Sequence, residues 1–326
     1  MKIVSKLAAL AMVSMGVTLP APGIAESAYP SKAVSWVVPF PPGGVVDNFV
    51  RKAARELESE LGQTIVVENK PGAAGMVGTQ YVARAPADGY TLLTGTQGTM
   101  AANMALYEKL QYNVETDFVQ VHGLTDLVPV LWVRADSQYK TVQDLVDYAK
   151  KNPGALTMAS SGVGALNFMT MEQFRSETDI QITHIPYKGS VPALTDIAGG
   201  VVDAMFDYSS SAQALVDAGR LRGVAVAGKN RSPSQPNVPT TAEAGYPGVN
   251  LMGWLSVVAP AGTPDAVVQR LSDAFGKILK NPELVKFYEN YDARPLMYDS
   301  AGLAAFTKEE TGRWADLVKS TGVKLE

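Results

Sequence analysis

Pro39-Phe40-Pro41-Pro42-Gly43-Gly44-Val45-Val46-Asp47 lies between an apolar run, Val34 to Val38, and an amphipathic segment from about Asn48 to Leu61. The run reads as a buried strand and the segment as a helix, so the stretch is a strand-to-helix junction. Its three prolines stiffen the backbone and withhold N–H groups, whereas Gly43-Gly44 permits a tight turn and exposes the amides that follow. In open α/β sheets, ligands sit in the crevice beyond the carboxyl ends of the strands. The first amides of a helix there lack an intrahelical partner and lie at the positive end of its dipole, so they attract anions. Phe40 adds an apolar face. The junction therefore predicts a site for an anion with a flat or apolar body.

Working outward, strand-like and helix-like segments alternate along the chain, which predicts an α/β protein with βαβ units. Expected strands are 34–38, 65–68, 91–95, 119–124, 128–134, 156–159, 181–185, 203–206, 222–227 and 250–259. Expected helices are 48–61, 74–85, 98–108, 141–151, 165–177, 190–199, 209–218, 264–280, 282–290 and 300–319. Thr141 is placed to cap one helix, which Pro153-Gly154 stops, and Thr263-Pro264 opens another with proline at its first position.

The junctions share a composition. After the first come Asn69-Lys70-Pro71-Gly72-Ala73-Ala74-Gly75, Gly95-Thr96-Gln97-Gly98-Thr99, Ser160-Ser161-Gly162-Val163-Gly164, Pro186-Tyr187-Lys188-Gly189-Ser190 and Asp207-Tyr208-Ser209-Ser210-Ser211. Tight turns and helix caps need the same residues, so each alone is weak. Six together predict a cleft lined by backbone amides and hydroxyls. The chain is long for one core and has no linker. Val128–Val133 and Leu251–Val258 are placed as two crossings, dividing 26–128 with 251–326 (the first domain) from 129–250 (the second).

The N-terminus reads as a signal peptide. Lys2 and Lys6 precede a short apolar run, Leu7 to Leu19, and Gly23 and Ala25 suit cleavage after Ala25. Removing those lysines shifts the formal charge from -4 to -6, and there is no basic run, so no nucleic-acid partner is expected. The absence of cysteine excludes disulfides and thiolate metal sites, and two histidines make a histidine-rich metal site implausible. No cofactor is expected. The absence of a heptad seam predicts a monomer.

Nothing asks for catalysis. Gly-x-Ser-x-Gly is absent around Ser161, no Walker loop occurs, and Gly43-Gly44 is not a dinucleotide fingerprint. His184, mid-strand, reads as a hydrogen-bonded structural residue. Asp47 and Asp207 resemble an acid–base pair, but Asp47 is better placed to begin its helix, where negative charge is favourable.

Pro39-Phe40-Pro41-Pro42-Gly43-Gly44 with Asp47, Val67-Glu68-Asn69-Lys70-Pro71-Gly72-Ala73 and Pro86-Ala87-Asp88-Gly89-Tyr90-Thr91-Leu92-Leu93 closely resemble the Bug family, the substrate-binding proteins of tripartite tricarboxylate transporters. The likeness continues through Pro186-Tyr187-Lys188-Gly189, Gly199-Gly200-Val201-Val202-Asp203 and Ala259-Pro260-Ala261-Gly262-Thr263-Pro264, covering essentially the whole mature chain. It implies a two-lobed periplasmic binding protein fold of type II, each lobe a mostly parallel sheet flanked by helices, with two crossing strands. It also implies a small carboxylate ligand, handed to membrane permease subunits. By position, Gly43, Gly44, Thr96 and Thr99 would hold a ligand carboxylate from one lobe, and Ser160, Ser161, Val163 and Gly164 from the other. Phe40 would pack on the ligand body and Asp207 would select among polar substituents. Pro42, Asp47 and Tyr187 complete the expected ligand set.

One departure bears on specificity. The family usually continues Gly-x-Gly-Ser-x-x-His, whereas this chain has Gly162-Val163-Gly164-Ala165-Leu166-Asn167-Phe168. If Phe168 faces the cleft, it and Phe40 would flank an aromatic ring; the alternative is packing within its own lobe. An aromatic or medium-chain dicarboxylate, terephthalate-like, is the expected ligand ahead of citrate or an amino acid. A sensor subunit for a membrane kinase would use the same cleft. An exported hydrolase or lyase acting on a small carboxylate would need a positioned base that only Asp207 or His184 offers.

Overall fold

The computed structural model describes residues 29–228 and 230–322, so the signal peptide and its cleavage after Ala25 lie outside the described residues. The first apolar runs form strands β1 (Val34–Val38), β2 (Ile65–Asn69) and β3 (Thr91–Thr96), joined by helices α1 (Val45–Leu61) and α2 (Met76–Ala83). β2 and β3 flank β1 on either side, both parallel to it. A π-helical turn, Gly98–Ala102, leads to α3 (Asn103–Leu106), and α4 (Val114–Asp117) precedes the long β4 (Phe118–Leu127). A single residue, Val128, separates β4 from β5 (Pro129–Arg134), which belongs to a different sheet.

There follow α5 (Val142–Lys151), β6 (Leu156–Ser160), α6 (Leu166–Thr178), β7 (Ile182–Pro186), α7 (Ser190–Gly199), β8 (Ala204–Tyr208), α8 (Ser209–Asp217) and β9 (Leu221–Val226). The chain then returns to the first sheet as β10 (Gly253–Pro260), α9 (Asp265–Ile278), α10 (Pro282–Glu289), β11 (Ala293–Pro295) and α11 (Ser300–Thr321). One sheet has the order β11-β4-β10-β3-β1-β2 and the other β7-β6-β8-β5-β9. The protein is thus a two-lobed α/β molecule.

Both sheets are mixed. The βαβ units give parallel pairs, as the alternation implies, but the returning strand β10 runs antiparallel to β3 and β4, and β5 runs antiparallel to β8 and β9. These strands enter their sheets from the neighbouring lobe, without a helical crossover to reverse direction. Being central, they are apolar along their length: every residue of β10 is buried, as are the first five of β5. Their tryptophans pack fully and still satisfy their indole N–H groups, Trp132 on the Asp207 carbonyl at 2.9 Å and Trp254 on Glu310 at 3.1 Å. One buried cluster runs continuously from Leu93 and Met100 of the first sheet's side to Phe174 and Phe206 of the second, with Trp254 and Trp314 between.

The helix boundaries follow their caps. Thr141 forms a reciprocal capping box with Asp144 at the start of α5. Pro264 sits one residue earlier than expected, preceding α9 rather than opening it. The two crossings fall at Val128 and at the segment before Gly253.

Candidate functional site

The strand-to-helix junctions of both sheets meet at a cavity of about 290 Å³. The first contributes Phe40, Val45 and Val46, the second Ala74, the third Thr96, Gln97 and Gly98, the fourth Gly164 and Ala165, and the sixth Tyr208. The fifth contributes nothing. Its Tyr187 donates to Asp196 at 2.7 Å and packs beside α7, inside its own lobe.

Three helices present their first turns here. α1 begins at Val45, α6 at Leu166 and α8 immediately after Tyr208, and all three of these residues line the cavity. The N–H groups of Val45, Val46 and Leu166 have no hydrogen-bond acceptor among the described residues. No lysine, arginine or histidine lines the cavity. Attraction for an anion therefore comes from unpartnered main-chain donors and helix dipoles rather than from fixed cationic side chains. The remaining wall is largely apolar, with Phe40, Tyr208 and Trp314 as its aromatic members and Thr96, Gln97 and Asn103 as polar ones.

The first junction is held from behind. Asp47, almost fully buried, accepts from the Gly43 N–H at 2.8 Å, from Asn69 Nδ2 at 2.8 Å and from Arg51 Nε at 2.9 Å. Burial works against its charge, but the bonds from Arg51, Gly43 and Asn69 outweigh it and hold the carboxyl below its ordinary value. Asn69 also donates to the Phe40 carbonyl at 3.1 Å, tying the aromatic residue into the same network. Gly43 can serve the turn because its φ is +81°, where a side chain would be strained. Pro42, Gly43 and Gly44 are exposed, and it is the succeeding valines that reach the cavity.

Thr96 and Thr99 brace each other: the Thr96 N–H donates to Thr99 Oγ at 3.0 Å and the Thr99 N–H to Thr96 Oγ at 3.1 Å. Only Thr96 lines the cavity; Thr99 is fully buried. In the fourth junction, Ser160 Oγ accepts from the Gly162 N–H at 3.1 Å and lies 2.7 Å from His184 Nε2, giving that histidine its structural partner. Burial lowers the His184 pKa, with Glu172 opposing it. Ser161 Oγ and its N–H both donate to Asn167 Oδ1 at 3.1 Å, while Val163 is 47% exposed. Of the expected serine, valine and glycine ligands in this loop, only Gly164 lines the cavity.

Phe168 requires a correction. It does not pair with Phe40 across the cleft but is buried against His184, ring centroids 4.9 Å apart. It is the third residue of α6, and the His184 it meets belongs to β7 of the same lobe's sheet. Tyr208 and Trp314 are the aromatic residues that join Phe40 instead.

Asp207 is 96% buried behind Tyr208 and does not itself line the cavity. One carboxylate oxygen accepts from the Tyr208 N–H at 2.8 Å. The other has no partner in hydrogen-bond geometry among the described residues, and the same is true of Ser209 Oγ and Ser210 Oγ. Burial pushes the Asp207 carboxyl up to about 6, a rise that Ser190 and the Tyr208 N–H moderate without cancelling. Burial also raises the Tyr208 phenol, which stays a neutral O–H donor.

Tyr208, Trp314, Gln97 and Asn103 were not in the expected ligand set. Gln97 and Tyr208 were within reach of sequence reasoning, since each occupies an anticipated loop. Trp314 and Asn103 owe their position to the tertiary fold.

A family model described as the tripartite tricarboxylate transporter family receptor matches residues 49–323. The chain belongs to this family. BugT of Bordetella pertussis is 33% identical over 316 residues, covering 97% of this chain and 96% of the relative. Among solved structures, Rpa4515 of R. palustris with adipate is similar at 33% identity and TM-score 0.80, covering 91% of this chain and 99% of that one. MatC from Rhodopseudomonas palustris with bound malate is similar at 32% identity and TM-score 0.74, covering 89% and 100% respectively. The protein is accordingly a periplasmic solute-binding receptor and not an enzyme. No helix among the described residues is long and apolar enough to cross a membrane.

Proposed function

We propose that this receptor captures an aromatic or medium-chain dicarboxylate, with a terephthalate-like acid as the leading candidate, and delivers it to the membrane subunits of a tripartite tricarboxylate transporter. The observation that carries the reading is the cavity itself. Three aromatic walls surround about 290 Å³, charge recognition falls to helix N-termini, and no cationic side chain is present. An apolar body buries surface against Phe40, Tyr208 and Trp314, while each carboxylate needs the unpartnered amides to replace its lost water. The volume is at the small end for a ligand pocket, which suits one small acid. Relatives of the same fold hold adipate and malate, both dicarboxylates.

In this reading, residues 26–128 with 251–326 form one lobe and 129–250 the other. They close on the solute as a monomer after cleavage following Ala25. Phe40, Thr96 and Gly164 touch the ligand directly. Gly43, Gly44, Asp47, Thr99, Ser160 and Ser161 hold the loops that do.

Titration calorimetry with terephthalate, adipate, malate and citrate tests the assignment. Micromolar binding of terephthalate or adipate is expected, with Phe40→Ala weakening the aromatic acid more than the aliphatic one. Micromolar citrate beside absent or millimolar binding of the other acids would end it.

A further inference from the structure

Gly253, the first residue of β10, is buried and sits opposite Leu127 at the point where the chain re-enters the first sheet. Its backbone is in the ordinary extended range, so glycine is not required there by φ. Space requires it. A methyl group at Gly253 would land on the Tyr208 hydroxyl, 3.1 Å from Cζ of the same ring and 3.5 Å from Leu166 Cδ2. Glycine within a strand often marks such a close approach. Tyr208 ends β8 and Leu166 begins α6, so both visitors come from the second lobe. Both line the cavity, as does Leu127. The Tyr208 hydroxyl has no hydrogen-bond partner among the described residues.

We propose that Tyr208, seated on Gly253, is a specificity-determining residue that couples solute binding to apposition of the two lobes. The inference rests on the cavity being the solute site. The missing side chain at Gly253 lets the phenol come to rest against the first sheet. There the ring forms one wall of the cavity, and its O–H is free to donate to a carboxylate oxygen of the solute. A side chain at position 253 acts as a wedge between the sheets, whereas removing the phenol oxygen removes its closest clash and leaves a 3.1 Å approach to Cζ. A solute too bulky to let the ring reach its seat loses both the wall and the donor, which is how the residue selects.

The test compares wild type, Gly253→Ala, Tyr208→Phe and the double variant, using terephthalate and adipate as probes in calorimetry and thermal melting of each ligand-free protein. Gly253→Ala is expected to weaken binding about tenfold or more, as overpacking at a tight contact does. Its ligand-free melting temperature stays near that of wild type, because the lobes can part slightly and so relieve the wedge. Tyr208→Phe should lose several-fold in affinity, and the double variant should bind nearly as Tyr208→Phe does, with far less than the loss that Gly253→Ala causes alone. A double variant as weak as the two losses combined overturns the seat, and so does a Gly253→Ala protein that melts early, since that marks strain inside a rigid core. Undiminished affinity in Tyr208→Phe overturns the donor role. If wild type binds none of the acids, the ligand assignment fails separately. The seat is then judged by small-angle scattering of the ligand-free proteins: a larger radius of gyration in Gly253→Ala that Tyr208→Phe reverses supports it, and four equal radii overturn it.

Discussion

The first and the sixth junctions handle their polar groups in opposite ways. At residues 39–47 the donors and acceptors are matched within the loop: Asp47 takes Gly43, Asn69 and Arg51, and Asn69 takes the Phe40 carbonyl. At residues 207–210, Ser209 Oγ and Ser210 Oγ are left without partners among the described residues, and Asp207 Oδ2, eased by the Ser190 hydroxyl, has none in good hydrogen-bond geometry. A buried polar group without a partner costs about 1–3 kcal/mol, so the second arrangement is one that an internal water donor would stabilise. The comparison teaches that the two sides of the cleft are built for different tasks. One is matched within its own loop and offers its leading amides; the other keeps shielded oxygens unmatched behind the cavity wall.

If that contrast is right, breaking the matched side should have the largest effect. Asp47→Ala strips the Gly43 N–H, Asn69 and Arg51 of their common acceptor. Arg51 is 43% exposed and can turn to water, so most of the loss comes from the other two. A destabilisation of about 3 kcal/mol in urea unfolding is expected, with weaker solute binding because Phe40 is no longer tethered. The carboxyl titrates below its ordinary value in the folded protein, so its contribution is present at neutral pH and fades as pH falls through the acid range. Asp47→Ala should therefore differ most from wild type at neutral pH.

On the unmatched side the sign reverses. Asp207 has a folded pKa of about 6 against 3.8 for the free group. Between those values the folded state keeps a proton that the unfolded chain releases, so stability falls as pH rises through the window. Asp207→Asn removes that burden and should raise the stability of the ligand-free protein by up to about 3 kcal/mol at neutral pH. The gain should vanish below about pH 4, where both forms are neutral. Chemical unfolding of both proteins across that range checks it, and a destabilised Asp207→Asn at neutral pH would contradict the contrast.

The parts of this molecule legible in its sequence are the local ones. Apolar runs of four to ten residues located ten strands, and the junction composition pointed to the cavity because helix N-termini need those residues whatever the topology. β11 escaped because it is three residues long, carries Pro295 and pairs with β4, from which it is separated by well over a hundred residues. α4 is a single turn capped by Asn113 and leaves no periodic signal. Trp314 lies in the long C-terminal helix, and only tertiary packing brings that helix to the cleft. Asp207 was anticipated at the ligand and Tyr208 found there, a one-residue difference with a simple cause. Neighbouring side chains of a strand point to opposite faces, and the pattern of β8, buried through Asp207, does not reveal which face will meet the other lobe. Phe168 posed the same problem on a helix.

The smallest effect expected belongs to the third junction, whose matched pair is local. In Thr99→Val the shape of the side chain is nearly kept, but the Thr96 N–H loses its acceptor at 3.0 Å in a fully buried setting. A loss of about 1 kcal/mol follows. Thr96 lines the cavity and Thr99 does not, so the two positions separate scaffold from contact. Thr99→Val should lower stability while leaving the order of preference among terephthalate, adipate and malate unchanged, because no group facing the solute is altered. Thr96→Val removes both the acceptor of the Thr99 N–H and a hydroxyl at the cavity wall, so it should lower stability by a similar amount and also shift that order. Identical preference profiles in the two variants would mean that the threonine wall contributes only to the fold, and that anion recognition on the matched side rests on the α1 amides alone.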